Sequence, residues 1–135
     1  MRLLVVLLSF LLMSVAVANE EEAGAGPVTE YLEMTPKFTV NLAEPKRFLL
    51  INVQLLAEGA EAITAIKKHM PALRHELVML YSGRPSADLQ TTEQREALRQ
   101  ETTTIIRETL EKMEGKKTAA AKGFQEAYFT EFLVD

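Results

Sequence analysis

The sequence predicts an α+β domain in the order ββααβ, a small antiparallel sheet packed with two long helices, and three patterns carry that prediction. Between Tyr31 and Leu56, apolar side chains recur in period-two sets on either side of a short turn. From Ile63 to Leu80, apolar residues recur at the spacing of one helix face. From Phe124 to Val134 the chain is rich in aromatic and β-branched residues, which suits a strand. No segment repeats, and strands gathered before and after the helices point to α+β rather than to alternating α/β units.

The first strand runs within Tyr31–Leu42. Leu32 and Met34 form one period-two set, and Phe38, Val40 and Leu42 form another, with Pro36 between them. Proline cannot donate to a ladder, so this strand lies at an edge or bends there. Ala43 to Lys46, with Pro45, reads as the turn of a hairpin. Arg47 to Leu56 is the strongest strand: Leu49, Ile51, Val53 and Leu55 lie on one face, and Phe48, Leu50, Asn52, Gln54 and Leu56 on the other. Gly59 ends it. Helix one is expected from Ala60 to Tyr81 on the stripe Ile63, Ile66, Met70, Leu73, Leu77 and Leu80, with a kink at Pro71 that leaves the phase intact. Ser82-Gly83-Arg84-Pro85-Ser86 breaks the chain. Helix two begins near Thr91, where Gln94 can close a capping box. Its inner stripe is Leu98, Thr102, Ile105, Ile106, Thr109, Leu110 and Met113, and it stops at Gly115. The third strand is Phe124–Val134.

Composition narrows the function. Forty-seven per cent hydrophobic and 25% charged residues suit a soluble globular domain. With no cysteine, disulfide frameworks, Cys-based zinc sites, iron–sulfur clusters, thiol catalysis and lipid attachment at an N-terminal Cys are excluded. A net charge of −4 is a poor attractor for phosphates, so no nucleic-acid partner is expected.

Residues 1–18 read as an export signal. Arg2 precedes an apolar run from Leu3 to Val17, and Ala16-Val17-Ala18 supplies small residues where a signal peptidase reads, so cleavage is expected between Ala18 and Asn19. The alternative is a short membrane anchor. The run spans roughly 22 Å as a helix, against about 30 Å of hydrocarbon. Either way the domain leaves the cytoplasm, and the bacterial style of the signal points to the periplasm. Residues 19–29 then form an acidic, Gly/Ala-rich linker, and 30–135 the folded domain.

No catalytic, cofactor or metal site is expected. His69 and His75 are six apart on one helix, on different faces, and do not match the i, i+4 spacing of a helical metal pair. Glu101, Glu108, Glu111 and Glu114 are interspersed with Arg99, Arg107 and Lys112. Arg107–Glu111 and Glu108–Lys112 would pair at i, i+4 on a solvated face. No G-x-S-x-G, phosphate-loop or dinucleotide motif occurs. Lys116, Lys117 and Lys122 make a basic loop in an acidic chain. It reads as cations at the negative end of a helix, with contact to lipid headgroups as the other possibility.

The most informative feature is that both faces of the strands carry apolar residues. A sheet with one face in water alternates more cleanly. Phe48, Leu50 and Leu56 oppose the Leu49/Ile51 face, and Tyr128, Phe129, Phe132 and Leu133 straddle both faces of the third strand. Either helices cover both faces, or another chain covers one. Phe48, Leu50, Tyr128 and Phe132 are the candidate interface residues.

Together, Tyr31 with Phe38-Thr39-Val40-Asn41-Leu42, Arg47-Phe48-Leu49, Pro71-Ala72-Leu73-Arg74 leading into Leu77-Val78-Met79-Leu80, Leu89-Gln90-Thr91, and Tyr128-Phe129-Thr130-Glu131-Phe132-Leu133-Val134 resemble the FliL family of flagellar basal-body-associated proteins. The resemblance spans Tyr31 to Val134. His75 stands where the family tends to have Asp, and Gln94 where it tends to have Gly. Residues 1–18 stand where the family has a full transmembrane helix. The resemblance implies a stomatin/SPFH-like periplasmic domain without catalytic, metal or cofactor residues. It implies a homo-oligomer, or a co-oligomer with a membrane-anchored FliL. The implied partners are basal-body components and the flagellar stator of MotA/MotB type, and the implied role is support of rotation, motility and chemotactic control. A periplasmic accessory or binding module unrelated to the flagellum is the alternative, because fold alone does not fix function.

Overall fold

In the computed structural model, residues 27–135 are described; the expected signal with its cleavage point at Ala18 and Asn19, and most of the expected linker, lie outside them. Three strands open the domain: β1 (Thr29–Glu33), β2 (Phe38–Asn41) and β3 (Phe48–Glu58). Two helices follow, α1 (Ala60–Lys68) and α2 (Met70–Tyr81), then a 3₁₀ turn (Ser86–Leu89), α3 (Thr92–Glu114), a single turn α4 (Ala119–Lys122) and β4 (Phe124–Val134). The architecture is α+β with an antiparallel sheet of four strands and helices packed on it.

Central strand β3 pairs with β1 and β2 along one edge and with β4 along the other. The first expected strand is therefore split. Leu32 lies opposite Leu55 and Phe38 opposite Ile51, so two extra residues are looped out around Pro36. Pairing resumes beyond the proline because Phe38 and Val40 can still be buried against β3. The hairpin closes as expected, with Leu42 N–H donating to Arg47 O at 2.9 Å.

Helix one is also divided. α1 ends at Lys68 and α2 restarts at Met70, which places Pro71 in the first turn, where its missing N–H costs nothing. The stripe keeps its phase across the break. Ile63, Ile66, Leu73 and Leu77 are buried as expected, Met70 and Leu80 are partly buried against the core, and Tyr81 beside Leu80 is fully buried as well. Tyr81 packs edge-on against Phe38, ring centroids 5.7 Å apart, and against Phe129 at 6.2 Å. Its hydroxyl meets Thr102 Oγ1 at 2.8 Å, and that hydroxyl donates in turn to Leu98 O.

α3 starts and stops where the sequence places it. Thr91 Oγ1 accepts from Gln94 N–H at 3.0 Å while Gln94 Oε1 accepts from Thr91 N–H at 3.0 Å. Gly115 ends the helix at φ 101°, a backbone conformation that favours glycine. Leu98, Thr102, Ile106 and Leu110 are buried, while Met113, expected inside, is exposed because the helix runs past the core at that turn. The turn α4 and the 3₁₀ turn carry no long periodic pattern and were not expected. α4 is wedged against the β3–α1 junction, where a Cβ on Gly123 would lie 2.2 Å from Glu58 O and 2.4 Å from Ala62 Cβ.

Among the described residues, the four helices lie on one face of the sheet. Leu49, Ile51, Val53, Leu55 and Ala57 are fully buried beneath them, with Phe124 and Ala127 of β4 on the same side. Among the described residues, no helix is long and apolar enough to cross a membrane.

Candidate functional site

Because the helices occupy one face, the even-numbered residues of β3 and their partners form an open face. Cross-strand register pairs Leu50 with Leu133, Tyr31 with Leu56, and Gln54 with both Glu33 and Tyr128. Two apolar patches result. One contains Phe48, Leu50 and Leu133, with Phe48 41% and Leu133 52% exposed. The other contains Tyr31, Leu56 and Tyr128, with the two tyrosine rings 6.2 Å apart and Tyr31 61% exposed. Large apolar side chains at this exposure on adjacent strands mark a surface that another surface can cover.

A polar strip separates the patches. Asn52 Nδ2 donates to Glu33 Oε1 at 2.9 Å and to Thr130 Oγ1 at 2.8 Å, and Lys37 pairs with Glu131. Asn52 is only 7% exposed, and its Oδ1 has no hydrogen-bond partner. An orphaned buried acceptor costs about 1–3 kcal/mol, so the strip is held in register at some expense.

Of the four candidate interface residues, Phe48, Leu50 and Tyr128 share this open face. Phe132 does not join them. The bulge between Phe129 and Glu131 places it opposite Ile51, on the helix side. There it contacts Phe129, and the Arg95 guanidinium sits 4.6 Å over its ring.

The β4 edge is sealed along only part of its length. Ala127 N–H donates to Thr103 Oγ1 (3.0 Å), Ala127 O accepts from Arg99 Nη1 (2.9 Å), and Gln125 O accepts from Arg107 Nη2 (2.8 Å). Further along, Phe48 and Asp135 exchange both backbone hydrogen bonds. Bonded and non-bonded pairs alternate in an antiparallel ladder, so Val134 and Phe132 turn their backbone groups away from β3. Among the described residues these groups have no partner outside the sheet, and this stretch of edge adjoins the Phe48–Leu133 patch.

The arginines that seal the edge correct an expectation. The i, i+4 pairs Arg107–Glu111 and Glu108–Lys112 are not among the ion pairs of the described residues. Arg95, Arg99, Thr103 and Arg107 instead form one i, i+4 line down α3 that lies along β4. Arg95, Arg99 and Arg107 stand over Phe132, Tyr128 and Phe124 respectively. Arg99 also binds Glu96 (2.6 Å) and Glu126 (2.7 Å). Hydrogen bonds to these two carboxylates hold its guanidinium pKa above the ordinary value, and the bond to Arg99 lowers that of Glu96. The spacing was visible in the sequence; the missing information was that β4 returns beside this face.

Elsewhere, His69 occupies the break between α1 and α2 and meets Glu114 at 2.6 Å, while His75 is exposed. The hairpin turn is tied to the 3₁₀ segment by Glu44, whose carboxylate accepts from Ser86 N–H and Oγ. Backbone amides, its own first and then that of Ser86, hold the Glu44 carboxyl below the usual range.

The sequence profile of the flagellar basal body-associated protein FliL family matches residues 31–134. A "Flagellar protein FliL" from Aquifex aeolicus (strain VF5) is 29% identical over 104 residues, which cover 76% of this chain and 59% of that protein. Among the described residues, the matched region includes β1 from Tyr31 on, β2–β4, the four helices and the open face. The chain belongs to the FliL family of flagellar basal-body-associated proteins.

Proposed function

We propose that this protein is exported by residues 1–18 and works on the periplasmic side of the inner membrane, as a non-catalytic accessory of the flagellar basal body. It oligomerises there, or co-assembles with a membrane-anchored FliL, and contacts the stator, supporting rotation, motility and chemotactic control. The single observation that carries the reading is the uncovered sheet face with Phe48, Leu50, Leu133, Tyr31, Leu56 and Tyr128, present in a chain of a flagellar family. Paired apolar patches around a hydrogen-bonded polar strip have the anatomy of an association surface. Helices confined to one side of a short antiparallel sheet also support a stomatin/SPFH-like architecture.

The test is a strain lacking the gene. Smaller swimming halos in soft agar and slower swimming in viscous medium are expected, with recovery from a plasmid copy. Wild-type swimming in liquid, viscous medium and soft agar would overturn the reading.

A further inference from the structure

We propose that the end of the domain formed by the C-termini of α1 and α3 and by α4 docks onto an anionic phospholipid surface through six lysines. Lys67 and Lys68 close α1, Lys112 lies in the last turn of α3, and Lys122 ends α4, with Lys116 and Lys117 in the loop between α3 and α4. These are six of the eight lysines in the chain. The elements are neighbours: Glu61, Lys68, Glu114 and Ala120 wall one shallow groove, and Glu58, Glu61, Ala119 and Lys122 wall the next, so the lysines rim grooves that also hold carboxylates. All six lysines are exposed, and none pairs with a carboxylate among the described residues. Glu114, at the end of α3, is engaged by His69. Compensation of helix dipoles accounts for lysines in last turns. It does not by itself account for six lysines gathered on the neighbouring ends of three helices.

Two observations select a membrane surface as the occupant. The first is charge: a chain with net charge −4 concentrates its lysines at one end, and clustered lysines near a bilayer are attracted by anionic headgroups. The second is where the chain enters. Pro27 lines the same groove as Ala119, Lys122 and Gly123, and Val28 O accepts from Gly59 N–H at 2.7 Å. The apolar run Leu3–Val17 therefore joins the domain at its lysine end, with only residues 19–26 between Ala18 and Pro27. Eight residues reach at most about 28 Å, so this end stays close to the bilayer for as long as Leu3–Val17 is held in it, before cleavage or as a short anchor. The proposal rests on the export reading above and on nothing about the flagellum.

The test uses the full chain and vesicles of phosphatidylcholine, with or without about one-third phosphatidylglycerol. Flotation measures binding, and amine acetylation read by mass spectrometry reports each lysine. Tighter binding to the anionic vesicles is expected, fading between about 0.1 M and 1 M salt. The six lysines should be protected there, while Lys37 and Lys46 stay reactive. Each lysine near the surface is worth about fivefold, so K116Q/K117Q should weaken the anionic preference roughly twenty-five-fold with an unchanged thermal midpoint. Equal binding to both vesicles, protection spread evenly over all lysines, or an unaltered preference in K116Q/K117Q would each overturn the proposal. So would anionic binding that emerges only in E20Q/E21Q/E22Q, since the acidic linker would then be the occupant. Export is tested separately by cell fractionation, so the two readings can fail independently.

Discussion

Replacing Gly123 by alanine adds one carbon at the tightest junction of the fold. Its backbone lies in the ordinary right-handed region, at φ −73° and ψ −17°, so alanine is tolerated there conformationally and gains up to about 1 kcal/mol from reduced unfolded-state entropy. Against that gain, the new Cβ would stand 2.2 Å from Glu58 O and 2.4 Å from Ala62 Cβ. Neither neighbour is the tip of a flexible side chain, so no rotamer change relieves the contact. α4 and the start of β4 must move by about 1 Å to regain ordinary carbon contacts, which stretches the 2.7 Å hydrogen bond from Glu58 N–H to Gly123 O. Overpacking of this kind costs about 1–3 kcal/mol. With two contacts and a stretched hydrogen bond, we expect a net loss of about 2 kcal/mol. For a domain of this size that lowers the melting temperature by roughly 8 °C. Thermal unfolding followed by circular dichroism, with urea titration as a cross-check, measures it. Gly83→Ala is the control: nothing lies within 4 Å of its Cβ, and only the left-handed φ of 76° opposes alanine, which costs about 1 kcal/mol. A Gly123→Ala midpoint within about 2 °C of the parent, or one above that of Gly83→Ala, would refute the reasoning.

Other outcomes follow from the same geometry. Burial raises the Tyr81 phenol above its ordinary pKa, so the native state keeps its proton where the unfolded chain ionises. The associated stability is complete below about pH 10 and is lost as pH rises beyond it. Stability curves for the parent and Tyr81→Phe should converge in alkali, and parallel curves up to the unfolding limit would contradict this. Arg99→Ala should cost about 1–3 kcal/mol by stripping partners from Ala127 O and Glu126. Arg99→Lys should recover only part of that, because an ammonium lacks the planar fork; full recovery in urea titrations would argue against the sealed edge. Leu50→Glu should leave stability within about 1 kcal/mol of the parent while reducing self-association in sedimentation. Unfolding of that variant would mean the face belongs to the core.

Much of this architecture was legible because it rests on local chemistry. Thr91 and Gln94 satisfy each other's backbone groups, Gly115 supplies the positive φ, and the odd-numbered residues of β3 sort to one side by pleat alone. Long-range geometry decided the rest. Tyr81 joins the core beside Leu80 because Phe38 of β2 and Phe129 of β4 stand against it, contacts that helical periodicity does not reveal. Arg107 crosses to Gln125 O instead of pairing with Glu111 because β4 lies beside it. The bulge next to Thr130 separates Phe132 from Tyr128, a slip that strict period two misses. Apolar residues on both strand faces did announce the open surface, and the structure adds which residues reach it.

The most direct test of that surface is swimming by a strain whose chromosomal copy carries Leu50→Glu and Leu133→Glu. Protein level and thermal midpoint should be matched to the parent. If the open face carries the association, the swimming halo shrinks to that of the deletion strain although the domain stays folded and abundant. A wild-type halo from a folded, normally abundant double variant would contradict the account.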